Sequence, residues 1–431
     1  MDTLDTGTSA FMLICVVLVL LMTPGLAFFY GGLARRKNVV NTMFMSMVVL
    51  GIVGVLWVLA GQSFAYGGDG SLPFFGGFDQ LGLAGGVSGM LAEASSAENS
   101  WPELGAVAYQ AAFAMITTAI MTGSVAGRMK FDAMVIFVVV WMLLVYAPLA
   151  HMVWGGEGSL VGDLIGAIDF AGGDVVHISS GISGLVLCLI LGRRKGFGLM
   201  NYRPHNVPFV VLGAVLLWFG WFGFNGGSAF AADGIAALAI LNTLAASAAG
   251  LLSWTLIERV RTGKPTLVGA ATGLVAGLVA ITPGAGFVEP WAAVIMGLIV
   301  SPVCYFAISH IKHRIGYDDA LDAFGCHAVG GITGGILTGI FCVPELQWTS
   351  AALPEQVGGL LYSGGDFSLF FAQILGIVVT VVFVSVAVAL IGFALRLVFK
   401  GSLRVDTAEE NEGLDTIEHG ESAYPAFNGL D

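Results

Sequence analysis

The chain has 431 residues, 57% of them hydrophobic and only 11% charged, with 62 glycines, a mean hydropathy of +0.88 and a formal net charge of −12. A soluble domain with so few charges could not keep its surface wetted, whereas glycine-rich apolar helices are ordinary in lipid. The composition therefore excludes a water-soluble globular protein and points to a polytopic α-helical membrane protein, with no nucleic-acid partner.

A helix needs roughly 20 mainly apolar residues to cross the hydrocarbon layer. Such runs predict eleven spans, at 10–33, 41–65, 105–127, 133–153, 173–192, 207–226, 235–256, 266–283, 291–310, 325–341 and 368–399. An odd count puts the termini on opposite sides. The first run follows Asp2 and Asp5 instead of a basic segment and continues through Pro24 to Tyr30 without a small-residue cleavage site, so it reads as a retained span. Cys15, Cys188, Cys304, Cys326 and Cys342 lie in or at the ends of spans without metal-ligand spacing, and read as packing residues.

All seventeen Lys and Arg residues fall on one side: Arg35, Arg36 and Lys37 after the first span, Arg128 and Lys130 after the third, and Arg193, Arg194, Lys195 and Arg203 after the fifth. Arg259, Arg261 and Lys264 follow the seventh, Lys312 and Arg314 the ninth, and Arg396, Lys400 and Arg404 the last. With the positive side inside, the N-terminus is out and the C-terminal tail cytoplasmic. The outer side then carries sixteen of the 29 acids, among them Asp2, Asp69, Glu93, Glu98, Glu157, Asp163 and Asp169. Such a face concentrates small cations and repels anions, although it also serves as ordinary solvation.

His177 and His327 sit within the fifth and tenth spans. An ionisable group at that depth is costly and marks a substrate or proton pathway by default. If spans 1–5 and 6–10 are two halves, each histidine lies in the last helix of its half, and the odd number of spans per half makes the halves inverted. Inverted repeats place equivalent helices together across an axis in the membrane plane, with the substrate path near their interface. The stretch Asp169-Phe170-Ala171-Gly172-Gly173-Asp174 precedes His177, and Asp322-Ala323-Phe324-Gly325 precedes His327; glycines follow both. Small residues let helix backbones approach, so the two imidazoles can meet at the centre. The plainer alternative is that each satisfies a neighbouring carbonyl.

Longer motifs carry a resemblance: Gly25-Leu26-Ala27-Phe28-Phe29-Tyr30-Gly31-Gly32-Leu33, His151-Met152-Val153-Trp154-Gly155-Gly156, Asp169-Phe170-Ala171-Gly172-Gly173, Pro204-His205-Asn206, Gly220-Trp221-Phe222-Gly223-Phe224-Asn225-Gly226-Gly227-Ser228 and Asp322-Ala323-Phe324-Gly325-Cys326-His327. In this order along nearly the whole chain, they resemble ammonium transporters of the Amt/MEP type, relatives of the Rhesus proteins. The resemblance implies an all-α fold of eleven transmembrane helices, an inverted five-helix repeat plus a long eleventh helix. Residues 1–399 would form the transport domain and 400–431 a cytoplasmic regulatory tail.

Carried over by position, the resemblance implies an outer ammonium recruitment site of Phe113, Trp154 and Ser228, with Asp169 beneath it. Aromatic faces attract a cation by ~0.5–2 kcal/mol, and a serine oxygen accepts a hydrogen bond that potassium cannot donate. Trp, Phe and Ser near helix ends also serve as interface anchors and packing residues. Phe113 and Phe224 would form a stacked gate. Tyr109, four residues before Phe113 and so on the same helix face, and Trp221, near Phe224, would support the path. Asp169 is expected to cap the fifth helix as much as to stabilise a bound cation.

Bare ammonium in a narrow apolar pore would carry the desolvation cost of a buried cation, and no carbonyl filter motif replaces its water. Ammonium is therefore expected to lose its proton, ammonia to pass, and the proton to travel over the His177–His327 pair as a coupled unit. Neither a cofactor nor a metal is implied. The tail residues Gly413, Leu414, Asp415, His419, Gly420, Glu421 and Tyr424 match a family pattern that implies an ordered segment coupling subunits of a homotrimer and docking a PII-type signal protein. The expected location is the cell inner membrane, and methylammonium is a further candidate substrate.

Two other readings stand beside transport. An ammonium sensor signalling through the tail would use the same recruitment site. An intramembrane enzyme would need a ligand cluster such as a helical His-Glu-x-x-His motif, which the sequence lacks. The stretch between Trp154 and Asp169 is longer than in enterobacterial members, and the 342–367 loop, with Pro344 and Pro354, is distinctive.

Overall fold

The computed structural model describes residues 4–84, 101–199 and 202–424; Asp2, Glu93 and Glu98 of the outer acidic set lie outside them. Among the described residues, eleven helices are long and apolar enough to cross a membrane. They are α1 Thr6–Leu33, α2 Arg36–Tyr66, α3 Glu103–Val125, α4 Phe131–Trp154, α5 Gly173–Leu191 and α6 Val207–Gly227, followed by α7 Gly234–Thr262, α8 Leu267–Gly284, α9 Pro290–Gly316, α10 Phe324–Phe341 and α11 Ser368–Val398. They correspond one for one to the predicted runs. The differences lie at polar ends: α2 starts earlier, and α7 and α9 continue through turns whose Arg and Lys stop an apolar scan. At 31 residues α11 is long as expected, but α2 equals it.

Glycine sets how closely these helices meet. A Cβ on Gly32 would lie 2.6 Å from the Val210 nitrogen, and one on Gly213 only 2.2 Å from the Phe29 nitrogen, so α1 and α6 touch backbone to backbone. In the same way a Cβ on Gly181 would sit 2.4 Å from the Ala328 nitrogen, joining α5 to α10. Lipid tails are as apolar as leucine, so such close dispersion contact is what holds helices together in a bilayer. The pairings α1 with α6 and α5 with α10 are those an inverted repeat of spans 1–5 and 6–10 requires.

The two histidine helices also begin alike. Each opens with a π-helical stretch, Gly173–Ile178 and Phe324–Ala328, and each stretch contains its histidine. Wide turns of this kind are rare and concentrate at functional positions. Ahead of α5, the Asp169 carboxylate accepts the N–H groups of Gly172 (2.8 Å), Gly173 (2.6 Å), Asp174 (2.8 Å) and Val175 (3.4 Å). Ahead of α10, Asp319 accepts those of Phe324 (2.8 Å) and Gly325 (3.4 Å). Free N–H groups at a helix start need such partners. The counterpart of Asp169 is thus Asp319 and not Asp322: both caps stand eight residues before their histidine. Asp322 instead receives the Lys312 ammonium at 2.6 Å.

The cations gather at one end of the bundle. Arg194 grips Asp318 at 2.7 Å, and fully buried Arg128 reaches the same carboxylate at 3.9 Å. Burial would raise the Asp318 carboxyl, but the two guanidiniums hold it below the usual carboxylate range. Arg404 pairs with Glu410 at this end, and Arg35 donates to the Glu410 carbonyl.

The tail is docked here as two short helices, α12 Thr407–Glu412 and α13 Leu414–His419. Gly413 turns between them at φ 115°, where a Cβ would lie 2.6 Å from the Lys37 carbonyl oxygen. The Leu414 amide donates to Asn38 Oδ1, and Asp415 accepts the amides of Val39 (3.0 Å) and Asn41 (2.9 Å) at the start of α2. His419 meets Asn41 Nδ2 at 3.0 Å and sits edge-on to Phe44 and Phe131. Gly420 terminates α13 with φ 66°, and the Glu421 amide returns to the Asp415 carbonyl. Farther on, Tyr424 Oη accepts from Asn206 and contacts His205, both at 3.2 Å.

Candidate functional site

At the end opposite the cations a cavity of about 500 Å³ opens between α3, α4, the start of α5 and the end of α6. Phe113, Trp154, Ser228 and Asp169, the four residues expected to recruit a cation, all line it. Trp154 stands where its indole N–H donates to the Asp169 carbonyl at 2.8 Å, which ties the ring to the capped start of α5. The Ser228 hydroxyl donates to the Phe224 carbonyl at 2.9 Å. Its proton is thereby engaged, Tyr109 Oη lies 3.4 Å from the same oxygen, and a lone pair remains for an N–H donor in the cavity.

Phe113 and Phe224 close the floor. Their rings are stacked 4.1 Å apart and 9° from parallel, with Trp154 edge-on to Phe113 at 6.1 Å. Tyr109 does not line this cavity or the one below. Its ring packs on Phe113 at 4.8 Å while its hydroxyl donates between the carbonyls of Gly223 (2.9 Å) and Phe224 (2.8 Å). It therefore brackets the gate from behind, joining α3 to the last turn of α6.

Beneath the rings the path narrows to a cavity of about 10 Å³ walled by Met22, Leu26, Ile116, Ile120, Val176, Leu217, Trp221 and Phe224 together with both histidines. That is about the minimum for a single water. The histidines touch: His177 Nδ1 lies 3.3 Å from His327 Nδ1. With both rings neutral, a hydrogen on either Nδ1 can bridge the two nitrogens, and the donor ring then presents a bare Nε2 and the acceptor ring an Nε2–H. Trp221 stacks on His177 at 5.3 Å and is anchored by its N–H to Thr282 Oγ1 at 3.0 Å. His177 Nε2 has no hydrogen-bond partner among the described residues, and His327 also faces a further cavity, of about 80 Å³, toward Asp322 and Cys326.

Sequence reasoning missed Asp319, which the spacing to His327 could have revealed, and the outer wall formed by Tyr66, Gln110, Phe230 and Trp348. Trp348, from the distinctive 342–367 loop, stacks on Phe170 at 5.8 Å. No group of three or more His, Cys, Asp or Glu residues among those described is placed to hold a metal ion.

A family model described as the Ammonium Transporter Family matches residues 10–424. The ammonium transporter of Aquifex aeolicus (strain VF5) is 47% identical over 422 residues, covering 98% of this chain and 94% of that one. The crystal structure of Candida albicans Mep2 is similar with a TM-score of 0.85 at 30% identity, covering 95% of this chain and 88% of its own. A structure described as Sensor Amt Protein has a TM-score of 0.85 at 26% identity and covers 96% and 98%. This multi-pass membrane protein belongs to the ammonium transporter family.

Proposed function

We propose that the chain conducts ammonium nitrogen inward by separating the cation from its proton. Ammonium is drawn to the acidic outer cavity, held against the faces of Trp154 and Phe113, and donates an N–H to Ser228. The phenyl pair Phe113/Phe224 swings aside, ammonia enters the narrow cavity, and the proton passes separately over the His177–His327 bridge. Ammonia both donates and accepts hydrogen bonds, and the bridged pair offers one Nε2 of each kind.

The observation that carries this reading is the contrast in volume and lining: about 500 Å³ with carboxylates outside, about 10 Å³ and apolar inside. A cation entering the narrow part intact would lose its hydration without replacement, at several kcal/mol. The proposal includes the cation-rich end as cytoplasmic, residues 1–399 as the transport domain, 400–431 as a regulatory tail, a homotrimer in the cell inner membrane, and a PII-type protein docking at the tail.

Reconstituted vesicles test it. Ammonium added outside should drive positive charge into the lumen at a saturating rate, and potassium at equal concentration should not. A slow, non-saturating response with retained ammonium binding would instead favour the sensor reading, to which the likeness to Sensor Amt Protein lends support.

A further inference from the structure

The outer cavity is much larger than its expected guest. An ammonium ion is water-sized, and a water's share of liquid volume is about 30 Å³, against about 500 Å³ here. The four recruitment residues make up only part of its lining, which Trp348, Phe170, Glu157 and Asp163 share.

Trp348 is held in place on purpose-built scaffolding. It stacks on Phe170 (5.8 Å, 28°) and meets Phe287 edge-on at 4.8 Å, yet stays 45% exposed. Its loop is tied across to the turn ahead of α5: the Ala351 amide donates to Asp163 Oδ1 at 2.6 Å and the Ala352 amide to the Asp163 carbonyl at 3.1 Å. On the loop's own side Gln356 Nε2 donates to the Gln347 carbonyl at 3.3 Å. The cavity lining includes three carboxylates, Glu157, Asp163 and Asp169, and no Lys or Arg among the described residues.

An open aromatic face beside unpaired negative charge, with space for methyl groups, suits a cation whose charge is spread over carbon. We propose that the part of the vestibule walled by Trp348 and Glu157 is a second binding site, for methyl-substituted ammonium ions. Such an ion waits ahead of Ser228, where only a cation with an N–H goes further. The site rests on the recruitment reading for its neighbour, but not on conduction.

Tetramethylammonium is the probe, because it has no N–H to donate to Ser228 and no proton to lose. Titration calorimetry on the purified full-length protein should show saturable binding, weakened at least fivefold by Trp348→Ala, largely kept by Trp348→Phe, and weakened to a smaller degree by Glu157→Gln. In vesicles the same ion should raise the half-saturating ammonium concentration without lowering the maximal rate. Absence of saturable binding, or equal binding by the wild type and the folded Trp348→Ala protein, overturns the site; an interface anchor would give that equality. Because calorimetry does not need transport, binding without ammonium flux would sink the conduction reading alone, and flux without binding would sink this one alone.

Discussion

The starts of α5 and α10 are built by the same device and placed in opposite surroundings. At each, a buried aspartate eight residues before a histidine caps a π-helical opening turn. Asp169 spends its carboxylate on four N–H groups and faces a cavity with no described cation. Asp319 accepts two and has the Lys312–Asp322 pair and Arg128–Asp318–Arg194 cluster nearby in the chain. The shared backbone brings the two imidazoles into register; in the proposed function the difference in charge gives the path its direction, one end gathering cations and the other already holding its own.

The largest expected effect comes from breaking the fuller cap. Asp169→Ala leaves buried N–H groups without partners, at ~1–3 kcal/mol each, and frees the carbonyl that orients Trp154. Ammonium-driven current should fall at least ~100-fold, as misplacement of a positioned group does, and the thermal midpoint should drop. Wild-type flux in this variant would mean that the cap does not set the site.

Trp154→Ala keeps the cap and removes one aromatic face. Its half-saturating ammonium concentration should rise about 2- to 30-fold, the range of a single cation–π contact, with a smaller change in maximal rate. Asp319→Asn attacks the other cap, where an amide oxygen still accepts an N–H. Its cost should stay near ~1 kcal/mol, so stability falls while flux remains within about tenfold. If Asp319→Asn proves as damaging as Asp169→Ala, the asymmetry between the two ends is wrong.

Legibility in the sequence differs from region to region of the molecule. Span number and the clustering of cations were legible because each depends on composition over twenty residues or so. The twin histidines were legible because charge-bearing side chains stand out in an apolar run. The cap of α10 was not, because Asp318, Asp319 and Asp322 crowd one short stretch and only the register of the helix start chooses among them. Tyr109 shares a face with Phe113, as its spacing requires, yet its hydroxyl turns to the carbonyls of α6 and away from the path. Trp348 reaches the mouth through loop contacts with Asp163 and ring contacts with Phe170 and Phe287, all far off in the chain. These depend on tertiary geometry that no local pattern encodes.

The smallest effect concerns the docked tail. Burial lowers the His419 pKa from its ordinary 6.5, against the opposing pull of Asp415 and Glu421. The docked state therefore binds the proton less readily than a released tail does. The contribution of His419 to docking is full above pH 6.5 and is lost as pH falls below it. Burial raises the Asp415 and Glu418 carboxyls from 3.8 and 4.5, so their titration acts in the opposite sense. Limited proteolysis of the tail should be a few-fold faster at pH 5.5 than at pH 7.5, about one unit either side of an unperturbed histidine. His419→Gln should flatten that dependence.

The central claim is that the nitrogen and its proton part before the narrow cavity and that the proton crosses by way of the histidine pair. Current on a solid-supported membrane carrying the reconstituted protein, after an ammonium jump with potassium as control, tests it most directly. A saturable, ammonium-specific current that disappears in the folded His177→Ala/His327→Ala protein is the predicted result. The same current persisting undiminished in that double variant would contradict the account.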